Sequence, residues 1–295
     1  MIRAAVVCAV CATPAVAECV AERDFVFASM GVSGYSVRDS GVLVGQEPCR
    51  LEGLVLGQGT NLTITVEAIE WSLQGVEEDG FSETVSLEIS VRDARMIAAS
   101  EDRWVAYLLA EQARRNTIDA DLSIVWTPEA GVVDIETFSL DLPGANGLEM
   151  TARSSGIAST LIFGQTPEDI AVHAVSFSVE NTGFLDGLLL SFIIDRVRVV
   201  PGEPRRVMDA TLSEVANMID DWPEAVFDQD SRAALQAMVL DGPAPWGRLD
   251  VSLDAPDGIG LRQIGTATAL PLAEALASVF ESATIQAEYT GRAPQ

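Results

Sequence analysis

The chain has no lysine: all 18 of its basic residues are arginine, and 44 aspartates and glutamates outnumber them to give a formal net charge of −26. Proteins bind nucleic-acid backbones through cations that displace condensed counterions, so a chain this acidic excludes nucleic acid as a partner. The acids are read as what keeps the molecule in solution. Histidine is nearly missing too, His173 being the single one. One histidine and few cysteines do not make the tetrahedral ligand set of a zinc site, and any Ser-His-Asp triad would have to use His173. Aromatics are only 6% of residues, fewer than sugar-binding surfaces tend to present. Gly31-Val32-Ser33-Gly34 lacks the second spacer of a nucleophile elbow, and Gly57-Gln58-Gly59-Thr60 is too short for a dinucleotide loop. No cofactor is expected.

Also missing is any apolar run of the roughly 20 residues that a membrane-spanning helix requires. The N-terminal run, Ala4 to Cys11, follows Arg3 and relaxes through Thr13 and Pro14 into Ala15-Val16-Ala17. That is the layout of a cleavable signal peptide, residues 1–17, with cleavage before Glu18. The expected mature chain is periplasmic or secreted and has no transmembrane span. Losing Arg3 leaves 17 arginines against 44 acids, a charge of −27.

Cys8 and Cys11 imitate a redox pair but leave with the leader. Cys19 and Cys49 stay, and two thiols in an oxidising compartment are expected to form one structural disulfide.

What is present in abundance is alternation. Leu62, Ile64, Val66 and Ala68 alternate with polar residues, after which the apolar phase moves to Ile69, Trp71 and Leu73, as a β-bulge would cause. Val85, Leu87, Ile89 and Val91 make the cleanest strand, with a hairpin loop expected at 75–80. Further strands are expected at 122–126, 133–135, 138–142, 148–152, 173–180, 248–253 and 284–289. Turns fit Thr127 to Gly131 and Pro143 to Gly147. Helical spacing appears at 101–115, 184–194, 209–221, 229–240 and 271–282, the last with Pro271 in its first turn. The expected fold is α+β: an extended, curled antiparallel sheet, a meander of hairpins, with helices on one face or end. Residues 18–200 read as a β-rich domain and 201–295 as an α+β subdomain continuing the sheet, with a boundary near 201–209.

Sites of chemistry are few. His173 lies in phase with Val175, Phe177 and Val179, which suits a half-buried core residue. Asp228-Gln229-Asp230 opens like a calcium loop, but Ala233 and Val239 occupy the positions that need Gly and Glu, so Asp228 and Ser231 read as helix caps. Glu77-Glu78-Asp79 and Asp254-Ala255-Pro256-Asp257-Gly258 fit exposed turns. Among 44 acids, nothing singles out a pair for glycoside hydrolysis. No catalytic or metal-binding residue is assigned.

The units Phe138-Ser139-Leu140-Asp141-Leu142-Pro143-Gly144 and Val175-Ser176-Phe177-Ser178-Val179-Glu180-Asn181-Thr182-Gly183-Phe184-Leu185 resemble the β-repeats of AsmA-like and related exported proteobacterial envelope proteins. The resemblance covers residues 60–200, though the N-terminal membrane anchor usual in those proteins is not expected here, where residues 1–17 read as a cleavable leader. It implies a sheet whose concave face shelters lipid or another amphiphile, lined by Val85, Leu87, Ile89 and Val91. The helix at 184–194, with Leu185, Leu188, Leu189 and Phe192, would be its lid or floor. Three functions are therefore carried forward: a non-catalytic binding or structural module of the cell envelope, a carrier of lipid, and a hydrolase using acidic residues. The partners these readings allow are lipid or an envelope protein.

Overall fold

In a computed structural model, the residues described are 19–20, 22–23, 26, 36–44, 48–58, 62–77, 80–98, 100–157, 170–183, 202–242, 245–267 and 272–291. They form a ten-stranded antiparallel sheet in which spatial order follows chain order. The strands are β1 (Ser36–Val44), β2 (Cys49–Gln58), β3 (Leu62–Glu77), β4 (Gly80–Ala98), β5 (Ile118–Thr127), β6 (Val132–Leu142), β7 (Asn146–Ser155), β8 (Ala171–Asn181), β9 (Gly247–Gly260) and β10 (Thr284–Gly291). Among the described residues the helices are α1 (Arg103–Arg115), α2 (Pro204–Asp220), α3 (Gln229–Leu240), α4 (Leu261–Ala267) and α5 (Leu272–Val279). The α+β meander expected from alternation is thus the fold. No described helix is long and apolar enough to cross a membrane. The helix expected at 184–194 lies outside the described residues, as do the leader and Pro271.

Two compact units divide the chain. The first is Met1–Leu73 with Ile89–Arg114, and the second is Gln74–Glu88 with Arg115–Gln295. The boundary expected near 201–209 falls inside the second.

In the first unit, β2 and β3 bury Leu51, Leu54, Leu56, Val66, Ala68, Ile69 and Trp71. The apolar phase does shift between Ala68 and Ile69. The register explains how: Leu51 pairs with Ile69 and Leu54 with Val66, so both strands change their buried face at the same level. Gly53, at φ +75°, lies in that step, a conformation glycine adopts without the penalty a Cβ would bring. Cys49 pairs with Trp71 across the ladder and is joined to Cys19 in a disulfide, the Cα atoms 5.6 Å apart. The Trp71 indole N–H, almost fully buried, donates to Glu22 Oε2 at 3.1 Å.

The second unit continues the meander through tight turns. Gly131 (φ +62°) closes the β5–β6 turn and Gly144 (φ +83°) the β6–β7 turn. Buried Asn146 holds the latter, its amide donating to Pro143 O at 2.5 Å while its Oδ1 accepts from Thr182 N at 2.5 Å. Trp126 packs edge-on against Phe81 with ring centroids 4.9 Å apart and donates its N–H to Ile157 O. The helices α2 and α3 form a hairpin tied by Gln236, which donates to Ala216 O and Asp220 Oδ1. Glu203 caps α2 by accepting from the amides of Arg205 and Arg206, and Pro204 follows it at the first helical position. That cap starts the helix several residues earlier than its apolar spacing predicts. At the other end of the unit, α4 and α5 close a small apolar cluster of Ala255, Ile259, Ala267, Val279 and Ala283.

An open strand edge invites pairing with another chain, and the edge of β10 is covered. Ile285 N donates to Val226 O at 2.8 Å, and Ala287 N donates to Ser231 Oγ at 3.0 Å from the first turn of α3. Asp228 caps α3, accepting from Ser231 N, and the hydroxyl and amide of Ser231 hold its carboxyl below the ordinary carboxylate range. So Asp228 is the cap the sequence predicts, while the Ser231 side chain turns to the sheet.

Candidate functional site

The helix α1 begins where Asp102 Oδ1 accepts from the amides of Trp104 and Val105, at 2.8 and 3.0 Å. This cap, with the run Trp104-Val105-Ala106-Tyr107-Leu108-Leu109-Ala110, gives the helix its local stability. Its faces are reversed from those of an ordinary surface helix. Ala106, Leu109, Ala110 and Ala113 recur at helical spacing and are partly or fully covered. Trp104, Tyr107 and Leu108 recur at the same spacing and face water, 78%, 56% and 62% exposed, with Val105 beside them at 45%. A solvated helix normally buries its bulkiest apolar side chains and presents small or charged ones, so this face is the largest anomaly in the first unit. Glu101, Asp102, Arg103, Trp104 and Tyr107 line an open recess of about 620 Å³ at its start. At its other end Arg114 pairs with Glu111.

Of the residues expected to line a groove, Val85, Leu87 and Ile89 are buried, only 6%, 6% and 4% exposed, and Val91 is half-buried. Leu185, Leu188, Leu189 and Phe192 lie outside the described residues.

His173 occupies an irregular point of the sheet. Pairing of β7 with β8 passes from Arg153–Ala174 directly to Ser154–Val172, leaving His173 as an extra residue. On the other side, pairing with β9 passes from Ala174–Asp254 to Val172–Ile259, leaving Ala255 to Gly258 bulged opposite it. Gly258, at φ +77°, lets the bulge close: a Cβ there would stand 2.9 Å from the ring's Cε1. The segment 254–258, expected as an exposed turn, is therefore a bulge inside β9 with Ala255 fully buried. Bulges re-aim side chains, and here His173 Nε2 meets Ser155 Oγ at 2.7 Å. Among the described residues no carboxylate is hydrogen-bonded to the ring, and the pair ties the uneven ends of β7 and β8. A second recess, of about 360 Å³, lies on the sheet between Asp134, Glu136, Thr151 and Arg153, with Arg153 Nε 3.6 Å from Asp134. No group of three potential metal ligands gathers among the described residues.

The sequence marks α1 as a helix but not as a surface. The signal for its exposed face is the stripe Ala106, Leu109, Ala110 and Ala113, which is the less exposed side of the helix and lies opposite Trp104 and Leu108. Compared with protein-family models and with curated proteins, the chain finds no match in either.

Proposed function

We propose that the chain is exported, cleaved after Ala17, and serves the cell envelope as a non-catalytic binding module whose contact surface is the apolar face of α1. The observation that carries this reading is the outward placement of Trp104, Tyr107 and Leu108 on a capped helix. Bulky apolar side chains in water have an unfavourable hydration cost, which burial against a partner would relieve. The Cys19–Cys49 disulfide supports an oxidising compartment, and the acidic remainder of the chain supports solubility there.

Two measurements test the reading. N-terminal sequencing of protein recovered from the periplasm or medium should begin at Glu18. The mature protein should also sediment with isolated envelope fractions, and a Trp104→Ser/Leu108→Ser variant should not. Equal sedimentation of the two proteins, with both folded, removes α1 from the role.

A further inference from the structure

We infer that the surface met by α1 is the headgroup layer of a zwitterionic lipid bilayer, an inference that rests on the binding role proposed for that helix. The exposed parts of Trp104, Val105, Tyr107 and Leu108 amount to roughly 500 Å². A lasting protein interface covers about 800 Å² on each partner, a little over half of it apolar, so charge and not area separates a bilayer from a second copy. Shallow insertion into a headgroup layer needs only a few bulky side chains on one helix face.

A second mature copy would bring a net charge of −27 against another −27. The stretch 101–115 is locally balanced, with Glu101, Asp102 and Glu111 against Arg103, Arg114 and Arg115. Its arginines flank the apolar face at both ends, where they meet lipid phosphates, while Glu101 and Asp102 beside Trp104 suit the neighbouring ammonium. Zwitterionic headgroups carry both charges. Anionic ones would add repulsion from the acidic remainder of the chain.

The side chains suit that depth. Tryptophan and tyrosine place an apolar ring and a polar tip at the boundary between headgroups and acyl chains, and Leu108 and Val105 supply purely apolar reach. Ala106, Leu109, Ala110 and Ala113 are the less exposed side of the helix, which leaves Trp104, Tyr107 and Leu108 on the side that meets the headgroups.

The test is flotation of the mature, disulfide-bonded protein with phosphatidylcholine/phosphatidylethanolamine vesicles. The wild type should float, and Trp104→Ser/Tyr107→Ser/Leu108→Ser should bind at least about tenfold more weakly. Replacing part of the lipid with phosphatidylglycerol should weaken binding. Vesicles with brominated acyl chains should quench wild-type fluorescence, whereas Trp104→Phe should bind and escape most of the quenching. Failure of the wild type to float, equal flotation of the triple variant, or binding that grows with phosphatidylglycerol overturns the inference. If vesicles fail while sedimentation with envelope material still depends on Trp104 and Leu108, only the lipid assignment falls. If that dependence is missing too, the binding role falls with it.

Discussion

The helices α1 and α3 are nearly the same length and both start at an aspartate cap, yet they end in opposite environments. In α3 the first turn reaches the sheet, with buried Ser231 accepting from the amide of Ala287 and the helix shielding the edge of β10. In α1 the protein side is a row of alanines and one leucine, and the large side chains face water. Capping and helical spacing decide whether a helix forms. Which side chains then find a partner decides whether it is scaffold or surface.

The comparison can be sharpened by substitution. The largest effect is expected from the cross-link in the unit that carries α1. Replacing Cys19 and Cys49 with alanine should cost about 3–4 kcal/mol for a closed loop of about 30 residues, read from urea unfolding. An unchanged midpoint would mean that the disulfide does not hold this unit. Next comes the docked helix. Ser231→Ala leaves the amide of Ala287 without its acceptor and should cost about 1–3 kcal/mol, with faster hydrogen exchange at Ala287.

A smaller effect should follow pH. Hydrogen bonds from Ser231 hold the Asp228 carboxyl below its ordinary value, so its contribution is complete above the normal carboxylate range and fades as pH falls through the lowered value. Asp228→Ala should thus lower Tm at neutral pH, and the gap from wild type should narrow in acid. A gap that widens in acid contradicts that sign. The smallest effect belongs to the bare helix. Trp104→Ser/Leu108→Ser should change stability by no more than about 0.5 kcal/mol, because exposed side chains contribute little to folding. A loss of several kcal/mol would show that the face is covered in solution.

Strands with strict alternation were legible in the sequence, and Val85, Leu87 and Ile89 are as buried as their spacing implies. Legibility ended where alternation is broken or half absent. In β2 the phase changes at Gly53, so Leu51, Leu54 and Leu56 never line up as one period-2 run. The exposed strand β1, Ser-Val-Arg-Asp-Ser-Gly-Val-Leu-Val, has no buried face to announce it. The seven residues of α4 are too few to show a helical stripe. The meeting of Ser155 with His173 depends on two register shifts, which no local pattern encodes. For α1 the helix was readable, but which of its stripes is covered is not encoded in its own spacing.

Hydrogen exchange with and without phosphatidylcholine/phosphatidylethanolamine vesicles tests the central claim most directly. The account predicts slower exchange in 103–115 and no change in 229–240. Protection in 229–240 alone, or none in 103–115 when the protein is vesicle-bound, would contradict it.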